Sequence, residues 1–174
     1  YFAGHGVMSR ELQQFYIVPT DVTQIYGAAD SLESKGISSR QLRSLAETIQ
    51  AQKQVFILDA CNSGGALEAF NERGASQEKA IAQLARATGT HWITASSGSQ
   101  FATEFDELGH GAFTYVLLQG LQGKADAGDQ RVTVNELKAY LESELPRISK
   151  EYKGSPQYPA SYGYGRDFPL AVQP

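Results

Sequence analysis

Two segments of the chain run from apolar residues straight into glycine: residues 1–6 (YFAGHG) and residues 55–65 (VFILDACNSGG). A short apolar run closed by glycine is typical of a buried strand that ends in a tight turn. We therefore predict two strands whose carboxyl ends deliver His5 and Cys61 to one edge of a sheet. No other feature restricts the fold as strongly, because neighbouring parallel strands require long crossover connections.

The rest of the chain alternates strand patterns with helix patterns, which indicates an α/β fold with a mainly parallel central sheet flanked by helices. Further strands are predicted at residues 15–18, 91–95 and 168–172. Helices are predicted after capping boxes at 38–41 and 133–136, after Ser76, and over 112–121. In the helix after 38–41, Leu42, Leu45 and Ile49 are predicted to face inward. The helix after 133–136 has Pro146 near its end. Polar stretches predict loops at 19–36, 62–75 and 105–111.

Composition narrows the class of protein. The 174 residues, 41% hydrophobic and 20% charged, suit one globular domain with a substantial core. A formal net charge of -4 does not indicate the basic surface that binds nucleic acid. Charged residues interrupt every apolar run before it is long enough to span a membrane. The one cysteine forms no internal disulfide, so we expect a reduced, cytoplasmic setting. Tyr1 already belongs to a strand pattern, and we expect an upstream segment or another chain to complete the sheet.

The two predicted strand ends place an imidazole opposite a thiol. A thiol is a useful nucleophile only as a thiolate, and an imidazole within reach removes its proton and later protonates a leaving amine. His5 and Cys61 therefore predict a cysteine hydrolase. The alternative is a buried structural cysteine beside a turn histidine. His91, at the start of a strand, and His110, in a Gly-His-Gly turn, are weaker candidates for the base.

The pair YFAGHG and LDACNSGG, in which Cys61 follows His5 by 56 residues, resembles the caspase-like cysteine peptidases, most closely their bacterial and metacaspase branch. The similarity extends through ITASSGSQFATE, HGAFTYVLLQGL and DFPL, and so covers nearly the whole chain. It implies a caspase-hemoglobinase fold whose first strands precede the histidine and are missing here. It also implies a large-subunit part at 1–67, a connector at 68–79 and a small-subunit part at 80–174.

The resemblance assigns roles to several residues. Cys61 attacks the scissile carbonyl, His5 is the general acid and base, and the N–H groups of Gly6 and Cys61 form the oxyanion hole. Ser96 and Ser97, with Gly98, lie where relatives bind the substrate backbone as an added strand. The alternative for this serine-glycine cluster is a plain turn.

Asp59 precedes Cys61 by two residues, and alternate residues of a strand point to the same side. A carboxylate beside the nucleophile suits an arginine or lysine side chain of the substrate through charge-assisted hydrogen bonds. Metacaspases resemble the chain in having aspartate here. We therefore predict cleavage after Arg or Lys. The alternative is that Asp59 only caps the following turn.

The predicted connector contains basic residues downstream of the nucleophile. Arg73 and Lys79 are therefore candidate self-cleavage sites, with an uncut connector as the alternative.

Residues 126–136 resemble an EF-hand loop that runs into its helix, but the stretch is one residue short and has Gln130 where glycine belongs. We interpret it as a capped helix start that begins at Thr133. No metal or other cofactor is predicted to be required; calcium dependence stays open. Zinc has no supporting ligand spacing among the three histidines and one cysteine.

The sequence thus predicts a cysteine endopeptidase that cuts proteins after basic residues through a thioester, as the effector part of a larger regulated protein. Its expected partners are protein or peptide substrates and regulatory domains or chains. Two alternatives remain: a catalytically idle interaction or scaffold domain, and a hydrolase of a small amide.

Overall fold

The computed structural model of the chain describes residues 1–9, 11, 12, 14–22, 29–62, 70–95, 104, 105 and 110–173. Its strands are β1 (Phe2–Ser9), β2 (Gln14–Val18), β3 (Ile37–Ser38), β4 (Val55–Asn62), β5 (His91–Thr94), β6 (Glu104–Phe105), β7 (His110–Gly111), β8 (Arg131–Thr133), β9 (Ala160–Gly163) and β10 (Pro169–Val172). Its α-helices are α1 (Ala29–Lys35), α2 (Ser39–Thr48), α3 (Phe70–Thr88), α4 (Ala112–Gln119) and α5 (Val134–Lys153). A π-helical segment, Gly120–Lys124, continues α4.

A six-stranded sheet in the order β3-β2-β1-β4-β5-β9 organises the described residues. Its centre is parallel, because β1 pairs with β4 and β4 pairs with β5 in the same direction. The outer pairs, β3 with β2, β2 with β1, and β5 with β9, are antiparallel. Four of the six strands therefore run the same way. The prediction of an α/β fold with a mainly parallel sheet flanked by helices is confirmed.

Alternate residues of the central strands enter two different cores, as the period of two in a strand requires. One core gathers Leu58 and Trp92 with Leu42 of α2 and Ile81 of α3, and the rings of Phe56 and Trp92 stack at 4.3 Å. The other core gathers Ile57 and Ile93 with side chains of α4 and α5: Phe113, Val116, Leu117, Leu137, Leu141 and Leu145. Each large side chain buried in this way stabilises the fold by about 1.5–3 kcal/mol.

β1 does not end in a turn at its glycines, so that prediction is wrong for the first of the two strands that carry the predicted site. The glycines predicted to end β4, Gly64 and Gly65, lie outside the described residues. β1 continues through Gly4 and Gly6 to Ser9, and β4 continues past Cys61 to Asn62. β1 stays extended because β2 and β4 pair with it on either side. Gly6 serves packing instead, since a Cβ there would lie 2.8 Å from the ring of Phe15.

Local signals located several helices correctly. Ser38 and Gln41 form the predicted capping box of α2, and Thr133 and Glu136 form that of α5. The inward face of α2 differs from the prediction, because Leu42 and Ala46 are buried whereas Leu45 is 50% exposed and Ile49 is 40% exposed.

Three predictions of where helices lie or begin and end are wrong. α1 lies inside the predicted 19–36 loop and packs through the buried Leu32. α3 begins at Phe70 and not after Ser76, so most of the predicted 68–79 connector is helical; a glycine at position 74 costs about 1 kcal/mol but does not stop a helix. α5 continues beyond Pro146 to Lys153, since buried residues on both sides of the proline, Leu145 and Ser149, hold it.

The carboxyl-terminal part of the chain completes two sheets. β9, which was not predicted, forms the edge of the main sheet beside β5. The predicted final strand is present as β10, but it pairs with β8 in a separate two-stranded sheet. Within the predicted 105–111 loop, β6 and β7 pair Phe105 with His110.

A buried hydrogen-bond network ties α5 to the end of β5. Gln157, which is 2% exposed, donates from Nε2 to the carbonyl of Ala95 at 2.6 Å, and its backbone N–H donates to Ser149 Oγ at 2.6 Å. The Ser149 hydroxyl donates in turn to the Leu145 carbonyl at 2.6 Å. The Ala95 N–H donates to the Leu58 carbonyl of β4. Gln157 therefore helps to hold the end of β5 against the strand that carries Cys61.

Replacing Gln157 with methionine keeps the side-chain volume and removes the amide. We expect the free energy of unfolding to fall by about 1–3 kcal/mol, because the Ala95 carbonyl loses its donor in a buried setting. Urea unfolding followed by circular dichroism measures the change. The matched control is Gln52→Met on the exposed surface, expected to stay within about 0.5 kcal/mol of the parent chain. Equal stability of the two variants would contradict a structural role for the amide.

Candidate active site

His5 and Cys61 occupy paired positions on neighbouring parallel strands. The register of β1 and β4 pairs His5 with Cys61 and, two residues earlier, Ala3 with Asp59. Neighbouring strands lie about 4.8 Å apart, and residues in register lie on the same face of a sheet. His5 is exposed, so its imidazole is accessible to a molecule that arrives from solvent. The structure therefore brings the backbones of the two predicted catalytic residues side by side.

Asp59 lies on β4, partly buried, two residues before Cys61. β4 continues for three residues beyond it, and the turn that follows β4 lies outside the described residues, so the alternative that Asp59 caps this turn is not tested. The Asp59 carboxylate contacts α4: the Thr114 hydroxyl donates to Asp59 Oδ2 at 2.5 Å. The hydroxyl of Tyr1 lies 2.5 Å from Thr114 Oγ1 and completes a row of three hydrogen-bonded side chains.

Thr114 and Tyr1 were not predicted as site residues. Thr114 has one hydroxyl hydrogen, which Asp59 receives, so the Tyr1 hydroxyl donates to Thr114. Burial raises the pKa of Tyr1, its hydrogen bond to Thr114 lowers that pKa, and the nearby Asp59 charge raises it; the net direction is upward. Tyr1 therefore stays a neutral donor at neutral pH. The available sequence signal was a hydroxyl residue within the apolar run AFTYVLL.

Gly6 lies inside β1, buried, in register with Asn62 of β4 and Ile17 of β2. Its predicted role in an oxyanion hole stays a prediction. Ser96, Ser97 and Gly98, the predicted substrate-binding segment, lie outside the described residues. The last described residue before them is Ala95, which follows the end of β5.

The sequence profile of the family described as Caspase domain matches residues 1–162. The chain belongs to the caspase domain family. No curated protein matches it. Membership confirms the predicted family and supports cysteine peptidase activity in general, with proteins as the class of substrate.

Within this caspase domain, the two other histidines differ from His5. His91 is buried at the start of β5, where Nε2 lies 3.2 Å from the Arg166 carbonyl and Nδ1 lies 3.3 Å from Lys138 Nζ. An ammonium group only donates, so Nδ1 accepts and Nε2–H donates. His91 is thus held in the sheet, as predicted. It lies at the amino end of β5, whereas Cys61 lies near the carboxyl end of β4. His110 belongs to β7, and its side chain lies outside the described part of the chain.

The candidate self-cleavage sites of the caspase domain, Arg73 and Lys79, lie in α3. Proteases bind extended backbone, so cutting at either residue requires the first turns of α3 to unwind. Self-cleavage stays a prediction.

The EF-hand-like stretch of the caspase domain is a turn that leads into α5. The Asp126 carboxylate accepts backbone N–H groups of Gly128, Asp129 and Gln130 at 2.7, 3.0 and 3.1 Å, which lowers its pKa. Hydrogen bonds from Thr133 lower the pKa of Glu136. The interpretation as a capped helix start is confirmed.

Ligand atoms of Asp126, Asp129 and Glu136 lie within 4.8 Å of one another. Acidic oxygens are the ligands that calcium prefers. These residues would supply up to three of them, but backbone N–H groups already occupy Asp126 and Glu136. Calcium dependence of the caspase domain stays a prediction.

Among the described residues, no helix is both long and apolar enough to span a bilayer.

Proposed function

We propose that the chain is a cysteine endopeptidase that cuts proteins after arginine or lysine with Cys61 as nucleophile and His5 as acid and base. The observation that carries the proposal is the register of β1 and β4, which pairs His5 with Cys61. The exposure of His5 adds to it, because a general base must reach both the thiol and the substrate. Family membership supplies the reaction class.

The chemistry follows from these two groups. The His5 imidazole takes the proton of the Cys61 thiol, and the thiolate adds to the carbonyl carbon of the scissile peptide bond. The tetrahedral intermediate collapses as His5 protonates the departing amine, which leaves a thioester on Cys61. His5 then takes a proton from water, the hydroxide adds to the thioester, and the carboxylic acid departs as the thiol is restored.

The N–H groups of Gly6 and Cys61 are proposed to bind the negative oxygen of the intermediate. Removing one donor of such a hole costs about 3 kcal/mol, or roughly a hundredfold in rate. Side-chain substitution cannot remove a backbone donor. The support for this part of the proposal is the pairing of β1 with β4, the two strands that carry Gly6 and Cys61.

Asp59 is proposed to select the basic residue on the amino side of the cut. It lies two positions before Cys61 on the same strand and is only partly buried. Its negative charge attracts a guanidinium or ammonium group and repels an acidic side chain. Ser96 and Ser97 are proposed to bind the substrate backbone beside it.

A panel of peptide reporters tests the proposal. Reporters that differ only in Arg, Lys, Ala or Asp before the cut should show turnover for Arg and Lys far above the other two. A scaffold domain would turn over none of them. A small-amide hydrolase would favour short acyl amides over the peptides, with no preference for the basic residue.

We further propose that the chain is a regulated effector domain of a reduced, cytoplasmic protein, divided into 1–67, a connector at 68–79, and 80–174. Self-cleavage at Arg73 or Lys79 is the corresponding processing event. Intact-mass spectrometry compares the parent chain with Cys61→Ala: new fragments only in the parent support processing, and identical masses contradict it.

The proposed chemistry uses no cofactor. Whether calcium activates the enzyme is tested by measuring reporter turnover with and without added calcium.

A further inference from the structure

A buried glutamine, Gln157, lies at the same edge of the sheet as the proposed reaction. β9 runs antiparallel to β5 and pairs Ala160 with Thr94, so the residues that lead into β9 lie beside the carboxyl end of β5. Gln157 is one of these residues and is 2% exposed. Cys61 lies near the carboxyl end of the neighbouring strand, β4.

The fold uses only one end of the Gln157 amide. Nε2 donates to the Ala95 carbonyl at 2.6 Å. Oε1 is buried and accepts no hydrogen bond from the described part of the chain. The backbone N–H of Gln157 donates to Ser149 Oγ at 2.6 Å, which anchors the residue to α5. A buried amide of which only the donor is engaged indicates a role beyond filling the core.

The group that receives this donor is the last carbonyl before the predicted substrate-binding serines. The Ala95 N–H donates to the Leu58 carbonyl at 2.8 Å, which continues the pairing of β5 with β4. The Ala95 carbonyl, held by Gln157, belongs to the peptide bond that joins Ala95 to Ser96. Because a peptide bond is planar, holding its carbonyl oxygen fixes the orientation of the whole unit. Gln157 therefore controls the direction in which the chain leaves β5.

We propose that Gln157 is a positioning residue for the substrate backbone, because its Nε2 orients the peptide bond from which Ser96 and Ser97 follow. The inference rests on the proposed role of these two serines in binding an extended substrate. Gln157 acts through Ala95, so its effect falls on substrate residues that pair with the backbone after β5. The reaction of the Cys61 thiol does not depend on it.

The test compares two reporters with the same arginine and the same fluorophore, an acetyl-tetrapeptide and acetyl-arginine. The extension ratio is kcat/KM for the longer reporter divided by kcat/KM for the shorter one. We expect Gln157→Met to lower this ratio by about threefold to tenfold, mainly through KM of the longer reporter, which is the range that one hydrogen bond supports. The folded fraction of the enzyme cancels in the ratio, because one sample cuts both reporters.

A second variant and a matched control accompany Gln157→Met. Gln157→Asn keeps the amide but is one methylene too short to hold the 2.6 Å bond, and it should lower the extension ratio to a similar extent. Leu32→Val trims a buried side chain of α1 that belongs to a different core, and it should leave the ratio within about twofold of the parent. Alkylation of Cys61 by iodoacetamide should proceed at the parent rate, within about twofold, in all three variants.

Each outcome decides a specific point. An extension ratio that both Gln157 variants share with the parent means equal loss on the two reporters, and it overturns this inference alone. An equal fall of the ratio in Leu32→Val shows general destabilisation and also overturns it. A parent that cuts both reporters equally well contradicts the role of Ser96 and Ser97 and, with it, this inference. A parent that cuts neither these reporters nor their lysine counterparts overturns the proposed function. If Gln157→Met does not fold, as shown by its thermal melt, the ratio in Gln157→Asn decides.

Discussion

Replacement of Cys61 with alanine should lower turnover of the Arg and Lys reporters by on the order of a thousandfold or more. The reason is that the proposed reaction passes through a bond to the Cys61 sulfur, and alanine offers no nucleophile. The thermal melt of the variant should stay close to that of the parent, which separates loss of chemistry from loss of fold.

His5→Ala is the companion variant, because the two positions are paired across β1 and β4. It should lose activity to a similar extent, and the double variant should lose no more than either single one, since the two groups act as a unit. His110→Ala is the control that removes a different histidine and should retain activity. Activity that survives in Cys61→Ala would contradict the thiol mechanism, whatever the behaviour of His5.

Asp59→Asn should lower kcat/KM on the Arg and Lys reporters by about tenfold to a hundredfold, with a much smaller effect on the Ala reporter. Asparagine has nearly the same shape but no charge, so the substrate cation loses a charge-assisted hydrogen bond worth about 1.5–3 kcal/mol. Thr114 keeps an oxygen to donate to, which limits disturbance of α4. Steady-state kinetics on the same reporter panel provide the measurement.

The matched control for Asp59→Asn is Asp21→Asn, which removes the same charge from an exposed turn. It should leave the ratio of basic to neutral turnover unchanged, so a general effect of net charge is separated from recognition by Asp59. An equal drop on basic and neutral reporters in Asp59→Asn would mean that the residue supports the fold and does not select the substrate.

Local sequence signals predicted the features whose causes are local. The capping boxes at Ser38 and Thr133 were found because a hydroxyl and a Glu or Gln three residues on satisfy helix-end N–H groups within one turn. The pairing of His5 with Cys61 also followed from the prediction that their motifs lie on adjacent parallel strands, although β1 continues for four residues beyond His5. The turn assigned to the glycines of β1 was wrong, because pairing on both sides extends that strand.

Features that depend on distant contacts could not be predicted. Thr114 meets Asp59 across 55 positions of sequence, and Gln157 meets Ala95 across 62. Both contacts exist only after the helices pack on the sheet. The continuation of α5 through Pro146 has the same origin. A proline inside a helix costs free energy and locally predicts a helix end, but the burial of Leu145 and Ser149 offsets that cost.

The most direct measurement is covalent trapping at the active site. A peptide acyloxymethyl ketone with lysine at the reactive end is incubated with the parent chain, and peptide mapping by mass spectrometry locates the adduct. The proposed dyad predicts one adduct, on Cys61, that forms far more slowly in His5→Ala. Hydrolysis of lysine reporters that continues while Cys61 stays unmodified, or trapping at an unchanged rate in His5→Ala, would contradict it.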